Sequence, residues 1–406
     1  MLRLTIRALP LVLLALLLGA MGVAPATAAP RANPTSTAAI TLSPATGRAG
    51  TTVTVTGTSF GRKLAGTVTA GTATAPFTTS GSGWFQTTVR IPAYSTGTVP
   101  VTAATSRDRA TASFTVTPAA APPRLAFGVA NPGGPLASAE LNEVTALAGE
   151  APSLIMLYKD FQQAPPLAEL DAARARGAVP LLTWEPWTWG GGVDQPAYSL
   201  DNVTAGTFDA YITSWGNALA SWGEPVKLRF AHEKNGNWYP WSEGVNGNEA
   251  GDYAAAWRHV HDVVSATGAT NVEWVWSPNV PYAGSTPLAG LYPGGAYVDT
   301  VALDGYNWGT SQPWSAWTSP QSLFGQGLSE LRILAPGKPI IVAETASAEA
   351  GGSKATWITD LVAYLNAQPD VIGFVWFHYA KEVDWRINSS RSAADAFTAA
   401  LAARRT

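Results

Sequence analysis

Residues 227–241, Lys-Leu-Arg-Phe-Ala-His-Glu-Lys-Asn-Gly-Asn-Trp-Tyr-Pro-Trp, hold the side chains best suited to chemistry in this chain. The apolar run 225–231 reads as a buried strand. It ends in His232 and Glu233 and then breaks into Asn235, Gly236 and Asn237, so a carboxylate stands where the strand surfaces. Barrel enzymes keep their reactive groups at such strand ends. Trp238, Tyr239 and Trp241 follow directly, and flat aromatic rings on a loop suit the apolar faces of sugar rings. A second acid, Glu344, comes straight after the apolar residues 340–343 with no charged neighbour. Two such carboxylates permit one group to protonate a leaving oxygen while the other attacks the anomeric carbon, giving a covalent glycosyl-enzyme that water releases.

These groups need a scaffold that brings distant strand ends together. After residue 124 the chain alternates strand-like and helix-like segments. Eight strands are expected at 125–131, 153–161, 179–187, 226–233, 272–278, 298–307, 339–345 and 371–379, with helices at 139–147, 167–176, 208–222, 253–267, 320–334, 355–367 and 392–403. That pattern in this length predicts an α/β fold of the closed (β/α)8 type. The Pro/Gly-rich run after Pro278 carries little helical signal, so the fifth outer helix is expected to be short or absent. An open doubly wound sheet is the competing topology, but no Gly-rich phosphate loop follows the first strand.

Strand periodicity then nominates supporting residues. Arg229 lies four before Glu233, and even spacing points both the same way, placing its guanidinium between the two carboxylates. Tyr306 and Asp304 end the sixth strand, Asp304 being expected to organise the turn there. Glu185, in Leu-Thr-Trp-Glu-Pro-Trp, is a polar group for sugar hydroxyls. Of the 17 tryptophans all but Trp84 follow residue 124, with Trp184, Trp187, Trp189, Trp238, Trp241, Trp276, Trp308 and Trp376 at strand ends. Such density at one face matches stacked sugars, and Trp376 is expected to form the platform beneath the sugar being cleaved. Residues 381–386 are expected to cap the cleft edge.

The wording Arg-Phe-Ala-His-Glu-Lys-Asn-Gly-Asn-Trp-Tyr-Pro-Trp at 229–241 closely resembles the acid/base segment of glycoside hydrolase family 26. The resemblance implies a TIM barrel with Glu233 as acid/base at the end of strand four and Glu344 as nucleophile at the end of strand seven. It also implies His232 beside the scissile bond, Tyr306 donating to the nucleophile and Trp376 as platform. Where the family often has Met after the acid/base, this chain has Lys234. Family members mostly cut β-1,4-mannan, and others cut mixed-linkage β-glucan or β-1,3-xylan. The expectation is therefore a retaining endo-β-glycanase acting on a mannan-type polysaccharide, with lichenase or β-1,3-xylanase activity as alternatives. A non-catalytic polysaccharide- or wall-binding protein on the same barrel is the alternative of another class.

Composition bounds the rest. The 406 residues carry a net charge of −3 with 13% charged residues, which indicates neither a nucleic-acid partner nor a strongly acidic protein. With no cysteine, disulfides, thiolate ligands and a Cys nucleophile are excluded. His259 and His261 lie two apart in a helical pattern and point to different faces, so no metal and no other cofactor is expected. Arg3 and Arg7, an apolar run at 9–18 and Ala26-Thr27-Ala28 read as a cleavable export signal over residues 1–28, which implies a secreted protein with no membrane anchor after cleavage; a monomer is expected. Residues 36–118 are rich in Thr, Val, Ala and Gly and alternate with period two. Leu42-Ser43-Pro44 and Gly57-Thr58-Ser59-Phe60-Gly61 resemble immunoglobulin-like modules of secreted bacterial proteins. A β-sandwich acting as a spacer is expected there, joined by a Pro/Ala linker at 119–124 to the barrel at 125–406.

Overall fold

A computed structural model describes residues 37–47, 50–92, 97–117 and 124–404. The expected export signal, and the expected linker apart from Arg124, lie outside them. The chain splits into two compact units, Met1–Ala119 and Ala120–Thr406. Among the described residues no helix is long and apolar enough to cross a membrane.

The first unit consists of strands β1 (Ala39–Ser43), β2 (Thr46–Gly47), β3 (Thr52–Thr58), β4 (Ala65–Ala70), β5 (Ala73–Thr78), β6 (Phe85–Arg90), β7 (Thr98–Thr105) and β8 (Arg109–Val116). They form a three-stranded sheet, β1-β3-β6, and a five-stranded sheet, β2-β8-β7-β4-β5. Threonine alternates with small apolar residues because one face of each strand is wet: in β3, Val53 and Val55 are buried while Thr52 and Thr58 are exposed. Phe60, Phe77, Phe85 and Phe114 fill the core. A Cβ at Gly57 would stand 1.9 Å from the Phe85 ring, so glycine is what lets that ring lie against the strand.

The second unit is a closed barrel of eight parallel strands. In order these are β9 (Ala126–Ala130), β10 (Leu154–Asp160), β11 (Val179–Glu185), β12 (Val226–Phe230), β13 (Val272–Trp276), β14 (Thr300–Asn307), β15 (Ile340–Ser347) and β16 (Val371–Phe377). β16 pairs with β9 and closes the ring. Around them run α1 (Ser138–Ala148), α2 (Leu167–Ala175), α3 (Leu200–Thr204), α4 (Asp209–Trp222), α5 (Asp252–Ala266), α6 (Leu288–Leu291), α7 (Pro320–Leu334), α8 (Lys354–Asn366) and α9 (Arg391–Ala402). The Pro/Gly-rich fifth unit yields only the four-residue α6, in keeping with its weak signal. Serine caps start the helices that line the late strands: Ser319, Ser353 and Ser390 each accept from a backbone N–H three residues on.

Barrel strands are buried on both faces, and the two faces have different neighbours. Leu154, Met156, Leu181, Val275, Ala302, Ile341, Ala343 and Val375 face one another inside the ring. Leu157, Trp184, Phe230, Trp276, Val342, Phe374 and Trp376 belong to the larger cluster between the ring and its helices. This parity decides which strand residues reach the barrel mouth.

Candidate active site

Each carboxylate needs a backbone irregularity to reach the mouth of the barrel. β12 ends at Phe230, short of the expected Glu233. Ala231 (φ 43°) and Glu233 (φ 52°) then adopt left-handed backbone, which costs an L-residue with a side chain about 1 kcal/mol or more. The period-two argument linking Arg229 to Glu233 therefore stops before Glu233; two left-handed residues, not strand parity, aim the carboxylate. On β15 the register shifts between Val342 and Thr345. Ala343 lies inside the ring and the next residue, Glu344, also bonds inward, so two consecutive side chains share one face. This is how a β-bulge re-aims a side chain.

Glu344 accepts from three groups. Arg229 Nη2 bonds Oε1, Tyr158 Oη donates to Oε1 at 3.0 Å and Tyr306 Oη donates to Oε2 at 2.5 Å. Burial, reinforced by the Glu344 charge, pushes both phenols well above their ordinary range, so both remain protonated donors. Arg229 is fully buried. It also bonds Thr183 Oγ1 at 2.9 Å and Asp304 Oδ2 at 2.8 Å. Burial alone would weaken its charge, but Asp304 and Glu344 together outweigh that and hold the guanidinium ionised. Asp304 is not a turn residue: its side chain is fully buried and also accepts from Ser277 Oγ at 2.9 Å. Burial pushes Asp304 upward and Arg229 opposes it.

Glu233 sits in a different field. Asn279 Nδ2 donates to Oε1 at 2.8 Å and Trp238 Nε1 donates to Oε2 at 2.8 Å. Burial first, and then the nearby Glu344 charge, raise this carboxyl to about 7, against the pull of Asn279, Trp238 and Arg229. One acid is thus raised into the neutral range while the other is surrounded by donors, a contrast of environments that can set two carboxyls to different tasks. Lys234 has no hydrogen-bond partner for its Nζ; the amine lies over Trp276, 3.7 Å from the ring centroid. Burial drives it well below the ordinary lysine range.

Several expected sugar-binding aromatics are elsewhere. Trp376 is fully buried, at the outward parity of β16. It packs edge-on against Trp357 of α8 and Phe397 of α9. It is a wall residue and not a platform. Its role is indirect, since Trp376 Nε1 holds the Trp385 carbonyl at 2.9 Å and Trp385 packs on Tyr306 with centroids 5.1 Å apart. Lys354 fixes the same loop through the carbonyls of Asp384 and Arg386. At the C-terminal end of β16 the half-buried residue packed against the interior cluster is Phe377, edge-on to Tyr306 and stacked on Tyr379 at 4.2 Å. Trp241 is also fully buried; it stacks on Tyr239 at 4.3 Å and donates to the His232 carbonyl, bracing the loop. Trp184 and Trp276 face the helices for the parity reason given for Trp376.

Exposed rings do remain at the mouth. Trp238 is 37% exposed and stacks loosely on Tyr282, which is 43% exposed, and both flank Glu233. Trp189 is 44% exposed and donates, with Trp187, to Glu185. Trp308 contacts the exposed Trp314 at 5.2 Å. Glu185 itself is buried, and burial raises it to about 7. His232 is buried beneath Tyr239 and held well below the usual histidine range, chiefly by burial.

Sequence reading missed Tyr158 and Asn279. Tyr158 had a signal: it is the polar residue at the parity of Leu154 and Met156. Asn279 had none, because only a loop two residues beyond Ser277 brings it to Glu233. The contrast between walls and mouth is measurable. Trp376→Ala is expected to destabilise the barrel by about 3–5 kcal/mol in denaturant unfolding, as for other buried tryptophans cut to alanine, whereas Trp238→Ala should stay within about 1 kcal/mol of wild type and be felt in turnover.

Comparison with known proteins locates this arrangement. The family model described as Glycosyl hydrolase family 26 matches residues 185–323, and that of the IPT/TIG domain matches 40–118. Endoglucanase H of Acetivibrio thermocellus is 43% identical over 251 residues, 60% of this chain and 26% of that protein. Mannan endo-1,4-beta-mannosidase A and B of Caldalkalibacillus mannanilyticus is 30% identical over 180 residues, 43% of this chain and 31% of that protein. The chain thus spans less than a third of either relative. Among solved structures, the catalytic domain of the family 26 endo-β-1,4-mannanase of Bacillus sp. JAMB-750 aligns with a TM-score of 0.53 at 18% identity, over 68% of this chain and 85% of that one. Likeness at that identity speaks for the fold alone.

Proposed function

For a chain that carries a glycosyl hydrolase family 26 domain and an IPT/TIG domain, we propose the activity of a secreted, retaining endo-β-glycanase working by double displacement. The observation that carries the reading is the pairing at the barrel mouth. Glu233 is a carboxyl raised to about 7 with Glu344 acting on it, and Glu344 is gripped by Arg229, Tyr158 and Tyr306. In the first step Glu344 attacks the anomeric carbon, the glycosidic C–O bond breaks and Glu233 gives its proton to the departing oxygen. In the second, Glu233 takes a proton from water, whose oxygen displaces Glu344. Tyr306 and Tyr158 orient the nucleophile, while Trp238 and Tyr282 offer apolar faces on the side of Glu233, where the leaving sugar stands.

A β-glucan is the substrate we favour, because the likeness to Endoglucanase H is both longer and higher in identity than that to the mannosidase. A β-1,4-mannan is the second reading, supported by the latter relative. The IPT/TIG unit serves as a spacer, with Trp84 the exposed large aromatic among its described residues. Reducing-sugar release from barley mixed-linkage β-glucan, mannan and xylan is the test. Release from none of the three overturns the catalytic reading, and release from mannan alone reverses the substrate order.

Glu233 supplies a further test with a definite sign. Its acid form prevails below about pH 7, so kcat/KM should fall as pH rises through that value. Glu233→Ala should lose about 10²–10⁴-fold on a polysaccharide, lose that limb, and lose far less on an aryl glycoside whose leaving group departs without a proton. Equal losses on both substrates would remove Glu233 from the acid role.

A further inference from the structure

We propose that Glu185 is a positioning residue for His232: one proton, held between Glu185 Oε1 and His232 Nδ1, decides whether the imidazole offers the glycan a donor or an acceptor. This deepens the glycanase reading and rests on it for its functional consequence.

The geometry begins with the two carboxylate oxygens. Glu185 Oε2 accepts from the indole N–H groups of Trp187, at 3.2 Å, and Trp189. That oxygen is committed as an acceptor, so a proton on Glu185 belongs on Oε1. Oε1 lies 3.8 Å from His232 Nδ1, and Nδ1 is buried with no hydrogen-bond partner. Both residues are more than nine-tenths buried. An orphaned buried nitrogen aimed at the free oxygen of a buried carboxyl asks for an explanation, and a small rotation of the carboxyl, whose terminal torsion is soft, closes the gap.

Two arrangements satisfy both atoms. In one, Glu185 is the neutral acid and donates to Nδ1, so the imidazole proton sits on Nε2, which becomes a donor. In the other, Glu185 has released its proton to solvent, the imidazole proton has moved to Nδ1 to face the carboxylate, and Nε2 becomes an acceptor. The imidazole is neutral in both, and the two states differ by one proton. An imidazolium is opposed first by burial and then by the Arg229 charge, with Lys234 acting in the same sense whenever its amine is protonated. The aromatic groups packed on the ring, Tyr158, Tyr239 and Trp241, contribute no charge; Tyr158 and Tyr239 are pushed far above neutrality. On Glu185, Arg229 and Glu344 act in opposite senses. Its elevated acidity range, about 7, sets where the exchange falls. Because His232 precedes Glu233 in the chain, the tautomer sets the polarity of the group adjoining the acid.

The test uses the full chain labelled with ¹⁵N-histidine, with His232 assigned from the spectrum of His232→Asn. Two-bond ¹H–¹⁵N correlations should show Nε2–H near pH 5.5 and Nδ1–H near pH 8, the exchange centred at about 7. Glu185→Gln, whose amide oxygen still accepts the indoles while its nitrogen donates to Nδ1, should show Nε2–H at both values. Glu185→Leu leaves Nδ1 unpaired and should lower kcat/KM near pH 5.5 by about tenfold, with Glu185→Gln recovering part of it. Unchanged signals from His259, His261 and His378 verify folding of each variant. An Nδ1–H or doubly protonated His232 near pH 5.5 in the wild type, or a Glu185→Gln spectrum that still switches, overturns the proposal. The tautomer is read without turnover, so a protein that cleaved no glycan would sink the glycanase reading and leave this measurement to be decided separately.

Discussion

Glu344→Ala is expected to lower kcat/KM on a soluble glycan by about 10⁵-fold, the scale seen when a covalent nucleophile is removed from a preorganised site. That is about 7 kcal/mol of transition-state stabilisation. Nothing nearby substitutes: Arg229, Tyr158 and Tyr306 all converge on this carboxylate as donors, and Asp304 is turned onto Arg229 and Ser277. The alanine cavity should admit azide, which on an aryl glycoside would restore turnover and give the glycosyl azide of inverted anomeric configuration. The Glu344 charge also raises Glu233, so with a rescued substrate whose leaving group needs the proton the falling limb of the pH profile should move to lower pH. A residual rate within about tenfold of wild type is incompatible with covalent catalysis through this residue. The fold itself should tolerate the change, because one buried negative charge leaves a region that holds Asp304 as well.

Arg229→Met should be costly in the opposite way, with a loss of stability of about 3–5 kcal/mol, as expected when one partner of a buried ion pair is removed. Arg229 is fully buried between Asp304 and Glu344, and without it two acids share a dry space with no cation between them. Asp304, already pushed upward by burial, should take up a proton. Arg229→Lys should recover little, since one ammonium lacks the fork that reaches Thr183, Asp304 and Glu344 together. Adding Asp304→Asn to Arg229→Met should restore part of the stability without restoring turnover, because the nucleophile would still lack its guanidinium. Denaturant unfolding and kcat/KM measured on all three variants decide the matter. An Arg229→Met protein as stable and as active as wild type would leave the buried triad without a purpose.

The amino-acid sequence by itself determined the β/α alternation and the two acids. Eight apolar runs alternate with helical patterns and become eight parallel strands closing on one another. Glu344 stands after four apolar residues, and Glu233 is followed by loop formers and aromatics. These are local facts: composition and periodicity over ten or so residues carry them, and parallel pairing needs nothing more than a chain that alternates in this way. The first unit was legible for the same reason, since Thr and Val alternating in β3 state directly which face is wet.

Tertiary structure alone decided which side chains meet. A barrel strand is buried on both faces, so its sequence has no wet side to mark, and Phe374 and Trp376 look as eligible for the mouth as Val375 and Phe377 until ring closure assigns the parity. Trp376, Trp184 and Trp276 therefore went to the helices while Phe377 turned inward. Periodicity also fails where the backbone departs from the pleat, and both acids sit at such places: Glu233 after left-handed Ala231, Glu344 at a register shift. Asn279 reaches Glu233 from a loop 46 residues away, and Tyr158 reaches Glu344 across 186. Contacts at that separation are set by barrel closure and side-chain packing, which no local window of sequence contains.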